Sequence, residues 1–300
     1  MKLRYSEAFY SVQGEGRFVG VPSVFLRVFG CNFECAGFGQ PRGELIATES
    51  MPYNTDPRAD KDHPEAYKSI DDLPVTLLGC DSSASWSKKY KHLQMTKSVD
   101  EVFDHITSLL PNGTFTGQHG EDIHLVITGG EPLLGWQRVW PELLDMCRQI
   151  GLVNVTFETN GTQPLTDEFI EFFKRYDGEL FFSVSPKLWT VAGEKAKRAI
   201  KPEVIAQYNN SFPILDSNVY TTGQLKFVVG PKEEQWEEME QVISLLKEQG
   251  VNWPVWIMPV GATVEGQKLV DGDVAKMAYQ RGYNVSARVH TYLWGNVVGV

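Results

Sequence analysis

Residues 21–35 read VPSVFLRVFGCNFEC. Val21–Gly30 is an apolar, strand-like run, with Pro22–Phe29 as its confident core, and Cys31 and Cys35 stand on the turn that leaves it. Two thiolates four residues apart on such a turn can hold a soft metal. Most sites of that kind need a third, and its obvious place is occupied by Phe38. The rest of the chain has to supply the missing ligand.

On the N-terminal side, residues 4–10 (RYSEAFY) suit a short strand, and Ser11–Gly20 (SVQGEGRFVG) is rich in glycine. Gly14-Glu15-Gly16 lets backbone approach a ligand closely, though an ordinary turn would look the same. It is not a dinucleotide fingerprint, because no strand-to-helix context of the right spacing follows. Arg27 places one charge in an otherwise apolar strand. A charge there is costly unless paired. It either faces water at an edge or aims a guanidinium at a carboxylate or phosphate.

On the C-terminal side, residues 36–79 are rich in Pro, Asp, Lys and Glu and show little periodicity. They read as an insertion, largely loop, with a short helix near His63–Ser69; long loops inside a domain are usually functional or disordered. Leu73–Leu78 is apolar again and returns the chain to the core, and Gly79-Cys80-Asp81-Ser82 follows.

The formal net charge is −10 and 42% of residues are hydrophobic. That excludes global disorder and argues against a nucleic-acid or membrane-surface partner, which calls for a basic face. A small anionic substrate stays open, since one or two placed arginines suffice. Met1–Tyr10 is short and charged, without the apolar core of a secretion signal. No run approaches the roughly 18 apolar residues of a membrane span. Four cysteines (31, 35, 80 and 147) do not make a disulfide framework in a chain of 300. The expectation is a cytoplasmic protein with a metal or catalytic role for cysteine. Cys147, in ELLDMCRQI, reads as a core residue.

From Ser98 the chain alternates. Helical spacing covers Val99–Leu110, with Ser98 and Glu101 as a capping box, then Pro141–Ile150, Asp167–Tyr176, part of Gly193–Tyr208, Glu233–Gln249 and Val270–Arg281. Strand-like runs cover Ile123–Ile127, Val153–Phe157, Leu180–Val184, Leu225–Val229 and Val255–Met258, with a last extended piece at Val285–His290. About six βα units predict an α/β fold with a parallel sheet, a partial (β/α)6 barrel in one domain over 1–300. Ligands in such folds sit at the C-terminal ends of strands. The cysteine turn, Thr128-Gly129-Gly130-Glu131-Pro132, the Glu158-Thr159-Asn160-Gly161-Thr162 turn and Ser185-Pro186-Lys187 all fall there.

CNFEC after a strand, with TGGEP later, resembles the radical S-adenosylmethionine superfamily. Its usual motif has three cysteines spaced x3 then x2. Here Phe38 departs from it, and Cys80, in a Gly-Cys-Asp-Ser context similar to the motif's usual end, is read as the displaced third ligand. The insertion at 36–79 then lies within the cluster loop. Zinc is the competing metal, but ribbon-type CxxC pairs are absent. More narrowly, YSEAFYSVQGEGRFVGVPSVFLRVFGC, ITGGEP, ETNGT, VSPK and SARVHTYLWGN are similar, in order, to segments of the 7-carboxy-7-deazaguanine synthase family.

That resemblance implies a carbon–nitrogen lyase of 7-deazapurine (queuosine-type) biosynthesis. It contracts the ring of 6-carboxy-5,6,7,8-tetrahydropterin to 7-carboxy-7-deazaguanine with loss of ammonia. The implied cofactors are a [4Fe-4S] cluster on Cys31, Cys35 and Cys80, S-adenosylmethionine, and Mg2+ near Ser82. The cluster delivers one electron that cleaves the sulfonium bond, and the 5′-deoxyadenosyl radical takes a substrate hydrogen, so the cofactors carry the radical chemistry and no protein residue is singled out as catalytic. Val12, Gln13, Gly14, Arg27 and Thr128 match substrate contacts, with Arg27 on the carboxylate and Glu15 placed to read the pterin's donor edge; His290 either binds substrate or is structural. Gly129, Gly130 and Glu131 match the segment receiving the amino group of S-adenosylmethionine, and Ser185, Pro186 and Lys187 match a further contact. Gly79, Asp81, Glu158 and Asn160 are additional candidates. The implied partners are the pterin, an electron donor such as flavodoxin or ferredoxin, and a second copy in a homodimer, with no nucleic acid and no membrane. Other readings are another radical enzyme, such as a glycyl-radical activase, and a non-catalytic cysteine–metal protein.

Overall fold

In the computed structural model, which describes residues 1–40, 64–73, 76, 78–212, 222–295 and 299, the apolar runs become strands of one sheet. The chain opens with a long strand, β1 (Lys2–Val12), that pairs antiparallel with β2 (Pro22–Val28) on one side and β3 (Met95–Ser98) on the other. From β2 the order follows the chain, every pair parallel: β4 (His124–Gly129), β5 (Asn154–Thr159), β6 (Glu179–Val184), β7 (Gly223–Val229), β8 (Val255–Pro259) and the two-residue β9 (Asn284–Val285). The end strands β3 and β9 are not paired with each other among the described residues. The barrel is partial, as expected from the sequence.

Helices make the crossovers that parallel strands require. They are α1 (Val99–Leu109), α2 (Trp140–Gln149), α3 (Asp167–Phe173), the group α4 (Trp189–Ala192), α5 (Ala196–Ala199) and α6 (Pro202–Asn210), then α7 (Glu233–Glu248), and α8 (Val264–Lys268) with α9 (Asp271–Gln280). The capping box of α1 is present: Glu101 N donates to Ser98 Oγ at 3.2 Å and Ser98 N donates to the Glu101 carboxylate at 2.8 Å. Among the described residues, no helix is long and apolar enough to cross a membrane.

Strand alternation decides what lies on each face. On β2, Val24, Leu26 and Val28 are buried in the core, while Phe25 and Arg27 line the sheet's inner cavity. On β7, Leu225, Phe227 and Val229 go to the core, while Lys226 and Val228 line the cavity. Phe157 of β5 packs edge-on against Trp140, Phe169 and Phe173 between sheet and helices. Each such fully buried ring contributes on the order of 1.5–3 kcal/mol. The polar cavity thus hangs on strands whose other face is fixed by aromatic packing.

Four elements differ from the sequence expectation. The first strand is longer than residues 4–10, and β3 was not foreseen; MTKS lacks a pattern of its own and is held by pairing with β1. The expected extended piece Val285–His290 is instead the end of β9 followed by α10 (Val289–Trp294). Ser286 N makes the last ladder-like bond, to Ile257 O at 2.8 Å, and Val289 N then donates to Gly14 O at 3.0 Å, turning the chain inward. The short helix expected near His63–Ser69 is a single 3-10 turn at Pro64–Ala66. Most of the insertion, residues 41–63 with 74, 75 and 77, lies outside the described residues.

Candidate active site

The two ends of the 36–79 stretch meet. Gly79 N donates to Phe38 O at 2.7 Å, so Cys80 is delivered beside Phe38. A second tie anchors the same segment to the end of β2. Ser83 N donates to Cys80 O at 3.1 Å in a tight turn, and Gly30 N donates to Ser85 O at 2.8 Å. Cys31, Cys35 and Cys80 consequently line one cavity of about 280 Å³ at the C-terminal ends of the strands.

The cysteine wall is apolar and backbone-strained. Phe33, Cys35, Ala192 and Ala199 form a small buried cluster against which Cys31, Cys80 and Phe38 pack. Cys35 has φ 51°, the left-handed region that a residue with a Cβ rarely adopts. Glu194 holds that turn by accepting from Glu34 N and Cys35 N, each at 3.0 Å. Burial pushes the Cys31 thiol up to about 12 and raises those of Cys35 and Cys80, while the nearby Lys187 charge opposes the rise in all three. These thiols stay protonated near neutral pH unless something replaces the proton.

Gly130 lies against this wall. A Cβ there would run into Gly30 O and reach Cys31 Cβ at 3.0 Å, so the second glycine of TGGEP is required by the close approach to the cysteine turn. Glu131 is not on the wall. It is fully buried behind it and accepts from Thr159 Oγ1 (2.7 Å), Leu133 N (3.1 Å) and Asn160 N (2.8 Å), which fixes the ETNGT turn against the GGEP turn. Burial pushes its carboxyl up to about 7 against those donors. Asn160, on the wall, donates to Asn32 Oδ1 at 2.9 Å and so reaches the cysteine loop itself. Ser185 and Lys187 line the cavity, with Lys187 Nζ donating to Ser185 Oγ at 3.0 Å; Pro186 between them does not.

The opposite wall is a chain of buried charges. Arg27 donates from Nε to Glu7 at 2.6 Å and from Nη1 to Ser82 Oγ at 3.0 Å. Ser82 Oγ donates to Asp81 at 3.3 Å, and Arg288 bridges Asp81 (2.5 Å) to Glu15 (3.1 Å). Lys226 Nζ donates to the other Glu15 oxygen at 2.5 Å and lies 3.8 Å from Glu158, which also accepts from Gln13 Nε2 (3.3 Å) and Thr128 Oγ1 (2.9 Å). Burial alone would raise the Glu15 carboxyl, but Lys226 and then Arg288 outweigh it and hold it well below the usual carboxylate range. The same contest, settled chiefly by Arg288, lowers Asp81. His290, on α10, presses its ring on Gly14, where any Cβ would collide with it; burial lowers its pKa.

Of the residues singled out in the sequence, Val12, Gln13, Gly14, Glu15, Arg27, Cys31, Cys35, Gly79, Cys80, Asp81, Ser82, Thr128, Gly129, Gly130, Glu158, Asn160, Ser185, Lys187 and His290 meet on this cavity. Two charged wall residues on strands were missed, Glu7 and Lys226, and Arg288 on the returning C-terminal segment had no role assigned to it. The signal for both strand residues was the one that flagged Arg27, a charge inside an apolar strand.

The cavity also holds unsatisfied polar atoms. Glu7 Oε2, Ser11 Oγ and Ser85 Oγ are buried with no hydrogen-bond partner among the described residues, and all three residues line it. Such groups are costly unless a ligand or water meets them. The donor set fits an iron–sulfur cluster, in which each thiolate takes its own iron. No three Cys, His, Asp or Glu side chains among the described residues converge as a single-ion site requires.

No protein-family model matches the chain. Among characterised proteins, it is 28% identical to the 7-carboxy-7-deazaguanine synthase of Halobacterium salinarum over 98% of this chain and 91% of that one. It is 26% identical to the 7-carboxy-7-deazaguanine synthase of Pyrobaculum aerophilum, covering 99% of this chain and 97% of that one. The chain is thus similar to the 7-carboxy-7-deazaguanine synthases along nearly its whole length. The crystal structure of QueE from Escherichia coli shares the fold, with a TM-score of 0.52 at 18% identity over 97% of this chain and 95% of that one. Likeness to the synthases spans nearly the whole chain, including both sides of the insertion that separates Cys35 from Cys80.

Proposed function

We propose that this chain is a 7-carboxy-7-deazaguanine synthase, a carbon–nitrogen lyase that contracts the ring of 6-carboxy-5,6,7,8-tetrahydropterin with loss of ammonia. One observation carries the reading: three cysteines that are distant in sequence share a cavity wall and face a wall of paired charges across about 280 Å³. Cys31, Cys35 and Cys80 hold a [4Fe-4S] cluster. When bound, the cluster and S-adenosylmethionine supply a carbon-centred radical.

The protein's own part is binding, orientation and exclusion of water. Gly129 and Gly130 offer close backbone to S-adenosylmethionine, with Gly79, Asn160, Ser185 and Lys187 around it; Glu131 and Pro186 act from behind. Arg27 receives the substrate carboxylate. Its Nε and Nη1 donors are engaged by Glu7 and Ser82, and a guanidinium has five N–H donors, so it is held in place with donors to spare. Ser82 and Asp81 offer oxygens to Mg2+, a hard cation that prefers them. Gln13, Gly14, Glu15, Thr128 and His290, with Val12 beside them, surround the ring. A flavodoxin- or ferredoxin-like electron donor, a homodimer and a cytoplasmic setting complete the reading.

The test is direct. Anaerobically reconstituted and reduced protein, given S-adenosylmethionine, Mg2+ and the carboxytetrahydropterin, is expected to release ammonia and 7-carboxy-7-deazaguanine together. A brown, reducible protein that cleaves S-adenosylmethionine but leaves the pterin intact would assign it to another radical reaction. Arg27→Ala is expected to weaken substrate binding much more than binding of S-adenosylmethionine; equal losses would remove Arg27 from the carboxylate.

A further inference from the structure

Lys226 stands on β7 with its side chain 7% exposed, deep in the charged wall. Two carboxylates face its ammonium, Glu15 at 2.5 Å and Glu158 at 3.8 Å. An ammonium has three donors and no acceptor. Among the described residues no third acceptor is in reach, and Lys226 lines the cavity. Its third donor therefore falls to whatever occupies the cavity beside Glu15.

Glu15 complements this. Its two oxygens each accept one hydrogen bond from the protein, from Lys226 and from Arg288, and a carboxylate has about four acceptor sites. The pair thus offers acceptor, acceptor and donor side by side. The pyrimidinone edge of a pterin offers the reverse: the 2-amino N–H, the ring N3–H and the 4-oxo oxygen. We propose that Lys226 donates to the 4-oxo oxygen while Glu15 accepts from the two N–H groups, so that Lys226 sets specificity for a 4-oxo over a 4-amino pteridine. This rests on the pterin-binding reading above.

The reason for discrimination is unpaired polarity. An exocyclic amine at position 4 turns its N–H groups on a buried ammonium that cannot accept, and both are left without partners. Arg288, Asp81 and His290 complete the charges around Glu15, and Gln13 and Thr128 bind Glu158. Among the described residues of this network, Lys226 alone touches both carboxylates.

The probes are 6-carboxypterin and 2,4-diaminopteridine-6-carboxylate, which differ at position 4 and, with it, at N3, since the diamino ring has no N3–H. Their affinities are measured by anaerobic calorimetry on the reconstituted protein with S-adenosylmethionine. Wild type is expected to prefer the 4-oxo acid by about ten- to a hundredfold, the cost of leaving buried donors unpaired. In Lys226→Met that preference is expected to fall severalfold, because a thioether does not tell donor from acceptor at position 4, while Glu15 still registers the loss of N3–H. Binding of both acids by wild type without preference overturns the inference and leaves the pterin reading standing. Binding of neither overturns both. A folded Lys226→Met that keeps the full preference also overturns it, and Lys226→Gln, whose amide can donate or accept, is read in its place where that variant does not fold.

Discussion

The two walls of the cavity solve opposite problems. The charged wall is nearly complete in itself: Glu7 with Arg27, Asp81 with Arg288, and Glu15 with Arg288 and Lys226 are paired within 3.1 Å. The cysteine wall is left undone, with one buried and two half-buried thiols raised by desolvation, one strained residue at Cys35 and no partner charge except Lys187 nearby. Buried groups that satisfy one another hold their shape before a ligand arrives. Buried thiols without such a partner keep their protons until a metal displaces them. On the proposed function, the organic substrate meets a preformed surface, whereas the cofactor completes its own.

The strongest way to break that contrast is at Cys80. Cys80→Ala is expected to abolish the cluster, leaving reconstituted protein nearly free of iron and colourless, while the denaturant midpoint of the unreconstituted protein moves little. Retention of about four irons per chain, the content of a complete cluster, would remove Cys80 from the ligand set. Such a result would break the cysteine wall and leave the charged wall as described.

The charged wall breaks differently. Lys226→Met leaves Glu15 and Glu158 facing each other in the interior, and losing one partner of a buried pair costs about 3–5 kcal/mol, read from denaturant unfolding near neutral pH. The pH dependence has a definite sign. The folded carboxyl of Glu15 lies below its ordinary 4.5, so its pairing stabilises the fold above that value. The stabilisation is lost as pH falls through the lower folded value. The gap between wild type and Lys226→Met is therefore expected to narrow as pH drops below 4.5. A gap independent of pH would mean that packing, not charge, sets the cost.

How much of this was legible in the sequence follows from how local each cause is. Strand β2 and its cysteines could be read because one run of residues carries both the burial and the turn. Cys80 could be placed because the Gly79–Ser82 context travels with it, although the bond that returns it, Gly79 N to Phe38 O, is a fact of space. The six βα units were legible from periodicity, which the core enforces on each strand separately. Lys226 was not, because its meaning depends on Glu15, more than 200 residues away, and a lone lysine in QLKFVV fits an edge strand equally well. The C-terminal helix α10 failed for the same reason: SARVH has alternation, but bonds to Gly14 and Glu15 decide where it turns.

A smaller effect tests preformation itself. Gly14→Ala would drive a methyl group into the His290 ring. Overpacking of this kind costs about 1–3 kcal/mol, and the substrate turn would shift with it. Weaker pterin binding with unchanged iron content is expected, measured by calorimetry and iron assay on the same preparation. Loss of iron as well would show that the two walls are coupled through the turn.

The smallest effect concerns the fourth cysteine. Cys147 is fully buried on α2, and burial alone raises its thiol, to about 12; no neighbouring cation opposes it as Lys187 does at the other three. It belongs to the core and to neither wall. Cys147→Ala removes one small apolar group, which costs about 1 kcal/mol, and should leave iron content and pterin affinity at their wild-type values. Because all four thiols are raised by burial, burial does not set Cys147 apart from the three proposed ligands; a shared cavity wall and a nearby lysine do. Iron loss in Cys147→Ala comparable to that in Cys80→Ala would reverse that distinction.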